Sequence, residues 1–161
     1  MKMNNNSTKY QRAAFSFVEL IIIVVFLGIF AVIVVPRFNY AIISKQKADT
    51  TARKIVTDLR LTRRLAISDA ANNTQGFELK MVGSVPYNTY EIENVDTKAI
   101  ITSHTLDSGL SISCPTGIRF IYGPLGNLKP ASATQIIVSA EGRSFTITIN
   151  SATGTIKCVK N

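Results

Sequence analysis

Residues that build most catalytic and metal-binding sites are scarce in this chain. Its 161 residues include one histidine, His104, and two cysteines, Cys114 and Cys158. Two cysteines without C-x-x-C spacing and one histidine do not supply the four ligands of a structural zinc site. The densest acidic group, within residues 91–96, lacks the repeated aspartates of a calcium loop, and no phosphate-binding glycine loop is present. We therefore expect no metal, no cofactor and no catalytic residue, with His104 as a surface or half-buried polar side chain.

A long apolar run lies close to the N-terminus instead. Sixteen residues, Leu20 to Val35, follow one another without a polar side chain, and the carboxylate of Glu19 directly precedes them. As a helix, Phe15 to Val35 would measure about 32 Å, which is enough to cross a hydrocarbon core. A charge at the centre of such a segment is unfavourable by roughly 2.5 to 3.5 kcal/mol, so Glu19 is expected to have a function.

Two simpler interpretations explain less of this segment. A secretory signal peptide has a shorter apolar core followed by a small-residue cleavage site, whereas this run ends in Val-Val-Pro-Arg at residues 34–37. An ordinary single-pass anchor accounts for the length and the hydropathy but leaves Glu19 unexplained.

The order of these features resembles the N-terminus of type IV prepilins and type II secretion pseudopilins. A short basic leader, residues 1–14, precedes Phe15, Ser16, Glu19 and the apolar run. The resemblance implies that a prepilin peptidase and methyltransferase cleaves between Ala14 and Phe15 and methylates the new N-terminus at Phe15. It also implies that Glu19 takes the amine of a neighbouring subunit during filament assembly.

A second resemblance concerns the helix that follows. Leu59, Arg63, Ala66 and Ile67 fit the L-x-x-x-R-x-x-A-I pattern of the GspH/FimT-like minor pseudopilins, and the glycine-punctuated strands of residues 136–158 are similar to that family. The resemblance implies a structural subunit of a type II secretion pseudopilus or a related type IV pilus. Its partners would be other major and minor pilin or pseudopilin subunits, and membrane lipid before assembly. It would cross the bacterial inner membrane once and carry an exported C-terminal domain.

The same resemblance offers an alternative function. FimT-like proteins include subunits that bind DNA during uptake through C-terminal arginines. The candidate residues here are Arg143, Lys157 and Lys160, of which only Arg143 belongs to a Gly-Arg pair. Arg143 is otherwise explained as a charge at a hairpin turn.

Charge and cysteine content bear on the location of the C-terminal domain. Three basic residues precede the apolar run, and five lie shortly after it, within residues 37–54. The positive-inside rule, which counts basic residues near the membrane ends, therefore places that domain in the cytoplasm when it is applied alone. The family resemblance implies export instead. Cys114 and Cys158 fall on apolar sides of their predicted strands and suit a disulfide in an oxidising compartment, with two unpaired buried thiols as the alternative.

The remaining pattern predicts one long helix followed by strands. Pro36 should kink this helix between a membrane half, residues 15–36, and an amphipathic half, residues 37–71. The predicted apolar face of the second half contains Ala48, Ala52, Ile55, Leu59, Arg63 and Ala66, widened by Ile42, Val56 and Ile67.

From Phe77 onward the apolar residues alternate, which is typical of strands. Eight strands are predicted, at residues 77–82, 87–92, 99–103, 110–114, 118–122, 134–140, 144–149 and 155–159. Residues 77–161 should therefore form a small antiparallel sheet that cannot bury its own apolar face. The expected fold is α+β, with the amphipathic half of the helix packed on that sheet.

Overall fold

The computed structural model describes residues 16–34 and 40–161. The chain divides into two compact units, Met1–Asn39 and Tyr40–Asn161. Ala14, Phe15 and Pro36 lie outside the described residues, so cleavage, methylation and the kink stay predictions. Across the two described stretches, no helix combines the length and the hydropathy that crossing a membrane requires.

The first unit contributes one described helix, α1 (Phe17–Val34), which has apolar side chains on all sides. Glu19 lies in its first turn and is its one acidic residue there. The carbonyl of Ser16 accepts hydrogen bonds from the amides of Glu19 at 3.0 Å and Leu20 at 3.2 Å, which begins the helix. A carboxylate at this end interacts favourably with the helix dipole.

The second unit contains a long helix and eight strands. These are α2 (Tyr40–Ser68), β1 (Phe77–Val82), β2 (Thr89–Asn94), β3 (Ile100–Thr105), β4 (Ser111–Ser113), β5 (Arg119–Tyr122), β6 (Gln135–Ala140), β7 (Arg143–Ile149) and β8 (Ile156–Lys160). Every predicted strand is present, with ends within two residues of the prediction.

The strands form two antiparallel sheets rather than the one small sheet that was expected. Sheet 1 has the order β3-β2-β1-β5 and sheet 2 the order β4-β6-β7-β8. The single-sheet expectation was wrong because alternation identifies strands but does not say which strands pair. The α+β fold class itself is confirmed.

Helix α2 packs against both sheets and supplies the centre of the core. Its predicted apolar face is buried at Ala48, Ala52, Ile55, Leu59 and Ala66. In sheet 2, Phe145, Ile147 and Ile149 of β7 point into the same core, as their alternation predicts. The widening of the helix face is confirmed only in part, since Val56 is buried while Ile42 and Ile67 are exposed.

Candidate functional site

A groove of about 680 Å³ lies between α2 and the strands β7 and β8. Four of the residues that line it carry positive charge: Arg53, Arg60, Arg143 and Lys160. Arg53 and Arg60 are seven residues apart, so two turns of α2 place them on the same side. We call this cavity the basic groove.

Strand register explains why Arg143 of β7 and Lys160 of β8 both point into the basic groove. Phe145 of β7 lies opposite Lys160 of β8, and paired residues share a face of the sheet. Arg143 precedes Phe145 by two residues and therefore has the same orientation. Phe145 is buried, whereas Arg143 is half-buried and Lys160 is exposed.

The charges of the basic groove are only partly compensated. Arg53 donates from Nε to Oδ1 of Asp49, one helical turn earlier on α2, at 3.1 Å. Within the described ranges, Arg60, Arg143 and Lys160 have no carboxylate within 4.0 Å. Three cations without a carboxylate therefore converge on one cavity, which attracts anionic groups.

The structure separates the three residues that were candidates for binding nucleic acid. Arg143 and Lys160 line the basic groove together, but Lys157 pairs with Thr148 on the opposite face of β7 and β8. Arg53 and Arg60 were not among the residues selected from the sequence, because only the packing of α2 on β7 and β8 brings them beside Arg143.

Strand β8 is also an open edge of sheet 2. The backbone amide of Asn161 donates to the backbone carbonyl of Ser144 at 3.0 Å, and the backbone amide of Asn150 donates to the backbone carbonyl of Thr155 at 2.9 Å. In an antiparallel pair, hydrogen-bonded positions alternate. The backbone groups of Ile156, Cys158 and Lys160 consequently point away from β7, toward the free edge.

The predicted disulfide between Cys114 and Cys158 is absent, since both cysteines are free. Cys158 of β8 lies opposite Ile147 of β7, and Ile147 lies opposite Ile136 of β6. Cys114 directly follows β4, the strand at the other edge of sheet 2. Three strand spacings of roughly 4.8 Å put the two residues about 14 Å apart, beyond the Cα separation that a disulfide bridges. The alternative of two buried thiols does not describe them either, since Cys114 is half-buried and Cys158 is exposed. Their separation depends on strand order, which alternation does not reveal. Burial raises the pKa of the Cys114 thiol to about 12.

His104 belongs to a polar cluster between α2 and sheet 1. The hydroxyl of Tyr90 donates to Oδ2 of Asp58 at 2.5 Å, and Nε2 of His104 lies 3.5 Å from the same oxygen. Asp58 is buried on α2. His104 is half-buried on the edge strand β3, in agreement with the prediction of a surface or half-buried side chain. The cluster therefore ties the helix to strands β2 and β3. Burial, reinforced by the hydrogen bond to Asp58, raises the pKa of Tyr90.

Three residues of the helix pattern have structural roles at the end of α2. Leu59 and Ala66 are buried in the core. Nε of Arg63 donates to the carbonyl of Gly126 at 2.9 Å, and Gly154 packs against that same carbonyl. Arg63 thus joins the connection between β5 and β6 to the turn between β7 and β8.

Comparison with known proteins identifies the fold but not a family. No family model matches the chain, and no curated protein matches it in sequence. Among solved structures it is similar to the type IV minor pilin FimU of Pseudomonas aeruginosa, with a TM-score of 0.57 and 13% sequence identity. The match covers 69% of this chain and 91% of that one. The chain therefore has a pilin-like fold.

Proposed function

We propose that this chain is a minor subunit of a pilin-like filament, either a type II secretion pseudopilus or a related type IV pilus. Its role would be structural rather than enzymatic. The observation that supports this most directly is α1, an apolar helix with exposed side chains and one carboxylate in its first turn. The same chain carries a domain of pilin-like fold.

The proposed assembly mechanism follows from the position of Glu19. Cleavage after Ala14 would free the amine of Phe15, about one helical turn from Glu19. Inside a membrane or a helix bundle, a carboxylate and an amine lower each other's burial penalty. If Glu19 pairs with the amine of the next subunit, the pair also sets the axial register between subunits. The apolar helices would then form the filament core, and the sheet domains its outer surface.

The proposed location follows from the same mechanism. Before assembly the N-terminal segment would hold the subunit in the bacterial inner membrane, with the sheet domain on the periplasmic or extracellular side. A prepilin peptidase would process it, and other pilin or pseudopilin subunits would be its partners.

The test is incorporation of a Glu19→Ala variant into filament assemblies in the native membrane. This change makes the segment more apolar, so insertion and leader removal should persist, which intact mass of the extracted protein measures. Incorporation, measured by crosslinking to other subunits, should be lost because a neighbour's amine is left buried without a partner. Ser16→Ala, in the same turn, is the matched control and should incorporate normally. Normal incorporation of Glu19→Ala, or retention of residues 1–14 in the natural chain, would contradict the proposal.

Nucleic-acid binding, the alternative function, is supported by only part of its candidate residues. Arg143 and Lys160 share the basic groove with Arg53 and Arg60, whereas Lys157 lies on the other face. Binding through phosphate contacts would weaken steeply as the salt concentration rises, and Lys157→Glu would weaken it as well.

A further inference from the structure

We propose that the basic groove binds an extended acidic segment of another polypeptide, which adds to the free edge of β8 as a fifth strand of sheet 2. The inference goes beyond filament assembly through the N-terminal helix and rests on the groove alone. Two independent features coincide there, a row of unpaired backbone groups and a set of uncompensated cations.

The unpaired backbone groups belong to alternate residues of β8. Ile156, Cys158 and Lys160 direct their amides and carbonyls away from β7, and no other hydrogen-bond partner for these groups occurs within the described part of the chain. An open edge of this kind is a template for an added strand. Cys158 and Lys160 also line the basic groove with their side chains. A segment paired with β8 would therefore direct every second side chain into the groove.

The charges define the chemistry of that segment. Arg60, Arg143 and Lys160 line the cavity and have no carboxylate partner in the part of the chain that the structure describes, while Arg53 is already paired with Asp49. Carboxylates on alternate residues of an added strand would meet these cations. A second copy of β8 is not a suitable partner. Pairing two such strands would place their lysines and their arginine-lined grooves next to each other, and these like charges would repel.

The edge favours a polypeptide over a nucleic acid. The free backbone of β8 presents donors and acceptors in alternation, whereas a phosphodiester offers only acceptors and would leave the carbonyls of Cys158 and Lys160 unmatched. Single-stranded nucleic acids are also commonly held by stacking on exposed aromatic rings. Phe145, the aromatic residue among those that line the groove, is only 5% exposed.

Cys158 provides a direct measurement of occupancy. The full chain in detergent would be treated with N-ethylmaleimide, with and without an acetylated, amidated peptide of alternating Glu and Val. We expect the peptide to slow alkylation of Cys158 while leaving Cys114, at the far edge of the sheet, unaffected. The peptide with Lys in place of Glu should not protect. An analogue with N-methylated amides on the edge-facing residues should bind at least about tenfold more weakly, since it cannot pair with β8.

Variants test the charge requirement by fluorescence anisotropy of the labelled peptide. Arg60→Glu and Arg143→Glu should each raise its Kd about tenfold or more. Lys157→Glu is the matched control on the other face of β8 and should change Kd less than about twofold. Arg60→Gln, which removes the charge without reversing it, serves if a reversal disturbs folding.

Three results would overturn the inference. The first is no protection of Cys158 at a peptide concentration of about 1 mM, a very weak affinity. The second is equal binding of the N-methylated analogue, which would rule out strand addition. The third is tighter, strongly salt-dependent binding of a single-stranded oligothymidylate that displaces the peptide, which would assign the groove to nucleic acid.

Discussion

The side chain of Arg119 donates two hydrogen bonds to the carboxylate of Glu78, from Nε to Oε2 at 2.7 Å and from Nη2 to Oε1 at 2.8 Å. Glu78 has no exposed surface. Because it alternates along β1 with core residues, it lies on the face of sheet 1 that points away from α2. Burial alone would raise the pKa of Glu78, but the hydrogen bonds and charge of Arg119 outweigh it and lower that pKa. The pair keeps a buried carboxylate ionised.

Removal of Arg119 should destabilise the domain strongly. Arg119→Met leaves the carboxylate of Glu78 buried without its main partner, and we expect a loss of roughly 3 kcal/mol in the free energy of unfolding. The double variant Glu78→Met with Arg119→Met should recover most of that loss, because no buried charge remains. Denaturant unfolding of the two variants measures both values. A single variant as stable as the natural chain would show that water replaces the arginine.

The pair Glu78 and Glu93 predicts an unusual pH dependence. The two residues are directly opposite on β1 and β2. Burial, followed by the hydrogen bond to Glu78, raises the pKa of Glu93 above 4.5. Because the pKa of Glu93 is higher in the folded than in the unfolded chain, its stabilisation is fully present below the unfolded value of about 4.5 and is lost as the pH rises through the raised folded pKa. Glu78 behaves oppositely, since its pKa is lowered and its stabilisation is lost as the pH falls through that value.

Glu93→Gln should therefore be more stable than the natural chain at neutral pH, by about 1 kcal/mol. The amide mimics the protonated acid and can donate to Glu78, while the loss of the 3.8 Å pair with the exposed Lys98 matters little. The advantage should shrink as the pH falls toward 4.5. Unfolding curves at several pH values measure this, with Glu91→Gln on the same face of β2 as the control for losing one charge. A constant difference across the range would contradict the linkage.

Two fully buried tyrosines provide a matched comparison. The hydroxyl of Tyr90 donates to Asp58, whereas that of Tyr122 has no partner among the described residues. Tyr90→Phe should lower the free energy of unfolding by about 1 to 3 kcal/mol, because it leaves the buried carboxylate of Asp58 short of a donor. Tyr122→Phe should be neutral or stabilising by up to about 1 kcal/mol. Equal losses from the two changes would mean that Tyr122 bonds to a buried water.

Two glycines with positive φ distinguish backbone strain from steric overlap. Gly142 has φ +73° and open space where a Cβ would lie, whereas Gly154 has φ +66° and its Cβ would overlap the carbonyl of Gly126. Gly142→Ala should cost about 1 to 2 kcal/mol from backbone conformation alone. Gly154→Ala should cost a further 1 to 3 kcal/mol or so, because the Arg63 contact with Gly126 must also move. Thermal unfolding of both variants measures the two losses of stability. A larger loss for Gly142→Ala than for Gly154→Ala would contradict this explanation.

Local pattern was enough to predict the elements of the sheet domain. The alternation around Phe145 and Ile147 fixes which side of β7 is buried, and the spacing of Ala52, Ile55 and Leu59 fixes the buried face of α2. Such patterns depend only on the geometry of a strand or a helix. They identify which side chains are buried but not which residues those side chains contact.

The candidate site was predictable only in part for the same reason. Arg143 and Lys160 could be selected from the sequence, but their convergence with Arg60 depends on how α2 crosses β7 and β8. Strand order likewise separates Cys114 from Cys158. Ile67 was expected to widen the apolar face of α2, yet it is exposed while its neighbour Ala66 is buried.

The chain alternates between the two sheets, and this path has a consequence for folding. It builds β1, β2 and β3 in sheet 1, enters sheet 2 with β4, returns for β5 and then completes sheet 2 with β6, β7 and β8. Neither sheet can be completed before the chain has contributed to the other, and pairs such as Phe77 with Tyr122 join distant positions. Folding dominated by such non-local pairs is slow, on the order of milliseconds to seconds, and should proceed as one cooperative event. Because β8 follows every other strand, the basic groove exists only once the whole domain has folded, so a partner that binds there would select complete subunits.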